Sequence, residues 1–388
     1  MTILPIDTLE ELWEFEGGKE EKYHEPLTHF KAHSGPQILV CHDMRGGYLE
    51  EESTNSTRKN TRTCSSTEWD SGKEICSKIL ENEKVMEKTV DQLVAVANHY
   101  GFDGWLINIE NEIDEAKIEL LIEFCASLTR KSKESNKNSK VIWYDSVLHS
   151  GKLKWQNALN ADNNKFYNAC DAIYLNYNWK DGDLLRSAEF GILERIFVGI
   201  DVWARGCVGE FDCDKSFALA KLFHMSVALF GPGWIYEKFE EYNQIVWGIQ
   251  FWSKLYPYIR TRPLTSANFS TNFHTGMEEN WRYRLSSVEL QPQKLTSFCH
   301  QVVGSGLTLF GRNRNFLLFN FDSLPYKKLK IICKTDSPIK ISFNKSDPVE
   351  HSGSSTWLIK EPGSLESITI HTTSHDETVI KSFRISTD

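Results

Sequence analysis

Two polar side chains, Asn108 and Glu110, lie two residues apart in the apolar segment FDGWLINIE, residues 102–110. If this segment is a β-strand, its side chains alternate between two faces, so Asn108 and Glu110 share one face while Ile107 and Ile109 occupy the other. A carboxylic acid in that position can exchange a proton with a ligand that the neighbouring amide holds by hydrogen bonds. The same pattern fits a satisfied polar cluster or a helix cap equally well, so the local sequence leaves both interpretations open.

Extended by one residue to FDGWLINIEN, this segment closely resembles the signature of the endo-β-N-acetylglucosaminidases of glycoside hydrolase family 85. Six further stretches resemble that family in the same order along the chain. They are CHDMRGGY from Cys41, WYDSV from Trp143, LKWQNALN from Leu153, YLNYNW from Tyr174, VGIDVWARG from Val198 and ALFGPGW from Ala228. The seven stretches cover most of residues 37–237, and their common order is not explained by chance.

The resemblance implies hydrolysis of the GlcNAc-β1,4-GlcNAc bond in the chitobiose core of N-glycans, on glycoproteins or as free oligosaccharides. A retaining glycosidase with a carboxylate nucleophile needs two acids about 5 Å apart, whereas a 2-acetamido sugar can attack with its own amide oxygen. Glu110 is then expected to act first as general acid and later as general base. Asn108 is expected to orient the acetamido group, and the mechanism is expected to be retaining and substrate-assisted, through an oxazoline.

Other residues in the family-like stretches are expected to line the site. Tyr144 matches a catalytic-site tyrosine and is expected to bond the acetamido group or Glu110; the alternative is a core tyrosine whose hydroxyl meets a backbone carbonyl. Trp155 and Trp179 match tryptophans near the sugar subsites, although helix packing accounts for Trp155 equally well. The remaining substrate-binding candidates, for which loop capping is the alternative role of the polar members, are Asn176, Asp201, Arg205 and Trp234.

Composition limits the partners that the chain is expected to have. With 44 Lys and Arg against 53 Asp and Glu the formal net charge is −9, which disfavours nucleic acid. No apolar run approaches the roughly 18 residues that cross a bilayer, so no membrane partner is expected. Neither metal-ligand spacing nor a glycine-rich phosphate loop is present, and we therefore expect no cofactor and no metal. The odd number of cysteines, nine, and an acidic N-terminus without a signal-peptide pattern predict reduced thiols in the cytosol.

Strand-like and helix-like patterns alternate through the stretch that carries these residues, which predicts a parallel sheet. With polar residues at the carboxyl ends of its strands, the best match is a (βα)8-type barrel, whose active site lies at that end. The barrel should close near Tyr258. Helices are predicted at 84–99 and 114–133, and strands at 37–43, 104–110, 140–145, 172–177, 195–201 and 226–230.

Beyond about Arg262 the pattern changes to short alternating runs separated by turn residues, which predicts an all-β, sandwich-like module. We therefore divide the chain into an N-terminal extension (1–36), a catalytic (βα) barrel (37–260) and a β-rich C-terminal domain (261–388). For the last domain the sequence predicts a scaffold or carbohydrate-binding role, because nothing in it marks a site. Its predicted strands are 315–319, 329–333, 339–343, 367–371 and 379–385.

One departure from the family concerns residues 49–66, which join the CHDMRGGY stretch to the Thr67-Glu68-Trp69 segment. The resemblance implies a further strand–helix unit there, and the polar 61–66 is a poor strand. The barrel thus appears one unit short, which would leave unpaired strand edges beside the site. Two alternatives to a working hydrolase therefore stay open, namely a catalytically impaired isoform and a non-catalytic glycan-binding protein.

Overall fold

A computed structural model describes most of the chain. The described residues are 6, 8–17, 35–41, 70–100, 102–203, 207–232, 235, 238–239, 241–255, 257–258, 263–264, 267–273, 299–301, 306–344, 346–350, 356–373 and 375–387. They fall into two compact units, one ending at Tyr258 and one comprising the described residues from 263 onward. The predicted domain boundary at 260/261 lies outside the described residues.

The first unit is built on a six-stranded parallel sheet with the strand order β1-β6-β5-β4-β3-β2. Because β1 pairs with β6, the first strand lies beside the last, which is the pairing that a (βα) barrel requires. The strands are β1 Ile38–Cys41, β2 Gly104–Ile107, β3 Lys140–Tyr144, β4 Ala172–Leu175, β5 Ile196–Asp201 and β6 Ser226–Phe230. The predicted barrel sheet is confirmed for these six strands. Residues 42–69, among which the sequence predicts that a strand–helix unit is missing, lie outside the described part.

Helices separate the strands and cover the outer face of the sheet. The longest, Glu83–Tyr100 and Ile118–Ser135, were both predicted to within a few residues. The second begins after a 3₁₀ turn, Glu115–Lys117, in which the side chain of Asp114 accepts a hydrogen bond from the backbone amide of Ala116. The helices of this unit are α1 Leu9–Trp13, α2 Asp70–Ile79, α3 Glu83–Tyr100, α4 Ile118–Ser135, α5 Asn164–Ala169, α6 Asp181–Ser187, α7 Cys213–Leu222 and α8 Glu241–Leu255.

Part of the predicted N-terminal extension belongs to this unit. Thr8 caps α1 and exchanges hydrogen bonds with Glu11, which satisfies the free amides at the start of a short helix. The Trp13 Nε1 group donates to Thr89 Oγ1 of α3 over 2.9 Å, and the carbonyl of Trp13 accepts from Gln92 Nε2. These contacts attach α1 to α3, so the described part of 1–36 packs as an additional helix on the barrel.

The inner face of the sheet carries one continuous cluster to which all six strands contribute. Its buried and half-buried members are Leu39, Cys41, Leu106, Ile142, Tyr144, Ala172, Tyr174, Phe197 and Ala228, with Tyr177 packed against them. The outer face packs on helices, as shown by Trp143, whose ring stacks on Phe166 of α5 with centroids 4.0 Å apart. Alternation along the strands therefore separates a helix-facing side from a barrel interior.

The second unit is an antiparallel β-sandwich, as predicted. One sheet has the strand order β10-β15-β12-β13 and the other β14-β11-β16-β9-β8, with β7 also paired to β16. Both sheets contribute to a single buried core that includes Phe319 and Ile370 from one and Ile331 and Phe383 from the other. The strands are β7 Phe269–Thr271, β8 Cys299–Gln301, β9 Leu307–Phe310, β10 Asn315–Tyr326, β11 Leu329–Thr335, β12 Ile339–Phe343, β13 Val349–Glu350, β14 Thr356–Ile359, β15 Gly363–Thr372 and β16 Glu377–Thr387.

Strand β2, which leads to Asn108 and Glu110, begins at a position that requires glycine. Gly104 has φ +149°, and a Cβ atom added to it would lie 1.8 Å from the carbonyl oxygen of Lys140. Gly104 and Lys140 are direct partners in the β2–β3 register, so the two backbones meet at this point. A side chain here would force β2 away from β3 at its first residue.

We therefore predict that Gly104→Ala lowers the free energy of unfolding by about 2–4 kcal/mol, because both the clash and the backbone angle oppose the new methyl group. Urea unfolding followed by circular dichroism measures this. The control is Gly248→Ala in α8, where an added Cβ meets nothing within 4 Å. The same chemical change should there be neutral or stabilising by up to about 1 kcal/mol, since alanine is the better helix former. Equal unfolding midpoints for the two variants would contradict the prediction.

Candidate active site

Asn108 and Glu110 follow the carboxyl end of β2 and lie on the side of the chain that faces the barrel interior. Ile107 and Ile109 are buried, whereas Asn108 and Glu110 are half-buried, so the alternation predicted from the sequence continues past the last strand residue. The Asn108 Nδ2 group donates to Glu110 Oε1 over 3.3 Å. The two polar side chains are thus brought together, with the amide holding one oxygen of the carboxyl group.

The other end of the Asn108 amide is unpaired. Its Oδ1 atom is buried and has no hydrogen-bond partner among the described residues. Buried side-chain oxygens nearly always accept a hydrogen bond, because leaving one unpaired costs about 1–3 kcal/mol. Asn108 therefore offers a buried acceptor to a ligand donor beside the carboxyl group of Glu110.

Tyr144 ends β3 on the inner face, next to this pair. Its hydroxyl donates to Asn176 Oδ1 over 2.9 Å and shares a hydrogen bond with the hydroxyl of Tyr177, so its partners are side chains and not a backbone carbonyl. Burial raises the pKa of Tyr144 well above its usual range, and the neighbouring Tyr177 and Glu110 act in the same direction. Tyr144 is therefore a neutral hydroxyl within electrostatic range of Glu110.

Asn176 and Asp201 reach the same end of the sheet from β4 and β5. Asn176 follows the last residue of β4 and donates through Nδ2 to Asn157 Oδ1 over 2.7 Å. Asp201, the last residue of β5, is 1% exposed and accepts a hydrogen bond from the backbone amide of Trp203. Its charge helps to raise the pKa of Tyr177, although burial of that ring is the larger cause. Both residues lie at the carboxyl end of the sheet, where the sequence placed them.

The two candidate stacking tryptophans differ in exposure. Trp155 is 41% exposed, so its ring is available to a ligand. Trp179 is 1% exposed, and its Nε1 group donates to the carbonyl of Gly199 over 2.7 Å. The expectation for Trp179 is corrected accordingly, because an enclosed ring offers no face to a sugar and serves to pack β5. Arg205 and Trp234 lie outside the described residues.

Three further side chains at this end of the sheet were missed in the sequence. The hydroxyls of Tyr174 and Tyr177 share a hydrogen bond of 3.0 Å, and Tyr174 also contacts the thiol of Cys41 at the end of β1. Burial raises the pKa of Cys41 to about 12, which keeps that thiol protonated. The signal was present, because Tyr174 is two residues before Asn176 and therefore shares its face in YLNYNW.

Asp145, the residue after Tyr144, performs a structural task. Its buried carboxyl group accepts from the backbone amides of Gln156 and Asn157, over 3.0 and 2.7 Å, and from Asn163 Nδ2 over 2.9 Å. Burial raises its pKa to about 6, while these donors act to lower it. Asp145 thus fixes the loop after β3, and its oxygens are occupied by protein donors.

Within the described residues no cluster of His, Cys, Asp and Glu has the arrangement that would hold a metal ion. No helix among them is both long and apolar enough to cross a bilayer. Seven of the cysteines in the described ranges are reduced thiols: Cys41, Cys76, Cys125, Cys170, Cys207, Cys213 and Cys333.

Comparison with solved structures shows the same fold in a glycosidase. The chain is similar to the glycoside hydrolase domain of Endo-D from Streptococcus pneumoniae with a TM-score of 0.65, covering 99% of this chain and 83% of that one. The two are 13% identical, so this likeness concerns the fold alone. It extends over both the barrel and the β-sandwich.

Comparison of sequences adds close relatives. Proteins named cytosolic endo-β-N-acetylglucosaminidase are 38% identical in Danio rerio and 33% identical in Homo sapiens, covering 67% and 74% of this chain. The chain spans 44% and 47% of their lengths, less than half of each. The Danio rerio match extends over 317 positions, which is more than the number of residues in the 67% of this 388-residue chain that it covers. The match therefore includes positions that this chain lacks.

The family assignment rests on the matched region and on what that region contains. The sequence model described as Glycosyl hydrolase family 85 matches residues 60–281. This span is more than half of the chain and includes the paired Asn108 and Glu110, Tyr144 and the strand ends from β2 to β6. The chain belongs to glycosyl hydrolase family 85.

Proposed function

We propose that this chain is an endo-β-N-acetylglucosaminidase that hydrolyses the GlcNAc-β1,4-GlcNAc bond of N-glycans, both on glycoproteins and as free oligosaccharides, in the cytosol. The observation that carries the proposal is the Asn108–Glu110 pair, in which a carboxyl group lies beside a buried amide oxygen without a partner. The names of the relatives support the substrate and the compartment. The chain is shorter than those relatives, and release of glycan from a glycopeptide measures whether it is active.

In the first step the acetamido group of the substrate is the nucleophile. Its N–H donates to the unpaired Asn108 Oδ1, which increases the electron density on its carbonyl oxygen and holds that oxygen below the anomeric carbon. The carbonyl oxygen attacks the anomeric carbon while Glu110 transfers its proton to the departing glycosidic oxygen. The products are a protonated oxazoline, which keeps the amide hydrogen and balances the charge of the Glu110 carboxylate, and a GlcNAc that remains on the protein or on the reducing end.

In the second step Glu110, now a carboxylate, takes a proton from water, and the oxygen of that water adds to the anomeric carbon. The oxazoline opens, the acetamido group is restored, and two inversions give net retention of configuration. The hydrogen bond from Asn108 Nδ2 to Glu110 Oε1 orients the carboxyl group in both steps. One carboxyl group thus performs both proton transfers.

Two other buried acids among the described residues at this end of the sheet, Asp145 and Asp201, are poorly placed to be a covalent nucleophile. Protein N–H donors occupy both oxygens of Asp145. Asp201 is 1% exposed and bound to the amide of Trp203. These contacts support a nucleophile that comes from the substrate. We further propose that the exposed ring of Trp155 stacks on a sugar of the glycan, since sugar rings present apolar faces to aromatic side chains.

A second candidate function is retained because of the length of the chain. It spans less than half of the relatives, and matches to them cross positions that it lacks. Those two facts also fit a protein that binds glycans without cleaving them, or a catalytically impaired isoform. Incubation with a high-mannose glycopeptide distinguishes the functions: the enzyme releases a glycan shortened by one GlcNAc, detected by mass spectrometry, whereas the binding protein retains the intact glycopeptide.

We predict that Glu110→Gln lowers turnover by roughly 10²- to 10⁴-fold, because glutamine cannot supply a proton to the departing oxygen. The KM should change little, since the amide fills the same space and accepts from Asn108 Nδ2. Release of glycan from a high-mannose glycopeptide gives kcat and KM. Turnover within tenfold of the wild-type chain would show that Glu110 is not the acid.

A second prediction separates the two steps of the mechanism. In Asn108→Ala the acetamido group loses the acceptor that orients it, so cleavage of an intact chitobiose glycan should fall below detection. A preformed glycan oxazoline has already passed that step and should still be hydrolysed at a measurable rate. Glu110→Ala is the matched control and should lose both activities. A covalent glycosyl-enzyme trapped on any carboxylate of the chain would contradict the proposal.

A further inference from the structure

Tyr144 is the last residue in a chain of three hydrogen bonds. The chain begins at the backbone amide of Asn178 and continues through the side chains of Asn157 and Asn176. The backbone N–H of Asn178 donates to Asn157 Oδ1 over 3.0 Å, and Asn176 Nδ2 donates to the same oxygen over 2.7 Å. The hydroxyl of Tyr144 donates to Asn176 Oδ1 over 2.9 Å. Asn157 thus connects the loop after β3 with the residue that contacts Tyr144.

The direction of every bond in this chain follows from its first member. A backbone N–H can only donate, so the atom of Asn157 that faces Asn178 must be the carbonyl oxygen. The group of Asn176 that meets that oxygen must then be the NH₂ group, which leaves the oxygen of Asn176 facing Tyr144. An oxygen can only accept, and Tyr144 therefore has to donate its proton there.

Asn157 is held in this position by its own backbone. Its φ is +56°, in the left-handed region, which asparagine adopts more readily than most residues. Its backbone N–H donates to the buried Asp145 over 2.7 Å, and Asp145 is fixed in turn by the amide of Gln156 and by Asn163. The side chain of Asn157 therefore leaves a loop that Asp145 holds through its backbone amides.

We propose that Asn157 is a positioning residue that fixes the hydrogen-bond polarity of Tyr144. With its proton committed to Asn176, the hydroxyl of Tyr144 meets a substrate as an acceptor only. The donors that it can receive are the neighbouring hydroxyl of Tyr177, an N–H or O–H group of the sugar, or the proton of Glu110 in its acid form. This inference rests on the proposed function, because it concerns the tyrosine beside the proposed acid.

The charge state of Tyr144 agrees with this role. Its pKa is raised above the usual range, mainly by burial, so the hydroxyl keeps its proton and the chain of bonds persists across the pH range in which a glycosidase works. The groups that face it are neutral hydroxyls and amides together with Glu110 and Asp145. Polarity is therefore set by Asn157 and not by ionisation of the tyrosine.

The test compares two substitutions that both tolerate a positive φ. Asn157→Gly removes the acceptor without straining the backbone, and Asn157→Asp keeps an acceptor for Asn178 N–H and for Asn176 Nδ2. On a high-mannose glycopeptide we expect Asn157→Gly to lower kcat by roughly 10- to 100-fold with KM within about threefold, because Tyr144 and Asn176 become free to reorient. Asn157→Asp should retain kcat within about threefold.

Three results would overturn the proposal. They are a kcat of Asn157→Gly within twofold of wild type, a change confined to KM, and a loss in Asn157→Asp as large as in Asn157→Gly. The last would mean that the accepting oxygen is not what matters. Thermal unfolding of each variant, followed by circular dichroism, shows whether a loss of kcat reflects a loss of folded protein.

A second measurement does not depend on activity, so it separates this inference from the proposed function. In protein labelled with ¹⁵N-asparagine, the side-chain amide of Asn176 is assigned by its disappearance in Asn176→Ala. Its hydrogens should exchange with solvent at least tenfold faster in Asn157→Gly than in wild type, and should remain protected in Tyr144→Phe. Protection lost in Tyr144→Phe and kept in Asn157→Gly would show the opposite polarity. If the wild-type chain releases no glycan, the proposed function fails and this measurement still decides the inference.

Discussion

The constraint on which the site depends is that parallel strands end at one edge of the sheet while their side chains alternate between two faces. Asn108, Tyr144, Asn176 and Asp201 lie at the ends of four different strands, yet each occupies an inward-facing position and so reaches the same end of the barrel interior. The outward positions between them, such as Ile107 and Trp143, are buried against helices. A shift of one residue in any strand would exchange these sets, and the cost of exposing the apolar set fixes the register.

Two connected polar networks at the end of β3 complete what the strands begin. Asp145 accepts hydrogen bonds from Gln156, Asn157 and Asn163 and so ties the loop that follows the strand. The same loop returns Asn157, whose oxygen directs Asn176 and through it Tyr144. Two adjacent residues thus divide two tasks, with Asp145 holding the loop and Tyr144 contacting the site.

The buried Oδ1 of Asn108 is an unpaired acceptor at this end of the sheet. The unpaired Nε1 atoms of Trp105 and Trp143 belong instead to the outward positions of β2 and β3 among the described residues.

The chemistry that these groups favour needs one ionisable group, the carboxyl group of Glu110, beside neutral side chains. One carboxyl group, a neutral amide and a neutral hydroxyl lie near one another, and a sugar amide would bring both a donor and a nucleophile to them. A second ionised acid close to Glu110 would destabilise its carboxylate form. The oxygens of Asp145 are bound to N–H groups and Asp201 accepts from the amide of Trp203, which leaves Glu110 as the acid beside Asn108.

Much of this was determined by the sequence alone. Alternation in FDGWLINIE placed Asn108 and Glu110 on one side, and the strand–helix rhythm predicted the barrel sheet, because burial of one face imposes a period of two on a strand and 3.6 on a helix. The order of the family-like stretches gave the ancestry. Only the tertiary structure decided which candidates touch. Trp179 proved to be enclosed, Asp145 proved to serve the loop, and Asn157 proved to reach Asn176 from a distant point in the chain. Periodicity reports the face on which a residue lies. Exposure and hydrogen-bond partners depend on neighbours that other strands supply, and a local sequence pattern does not specify those neighbours.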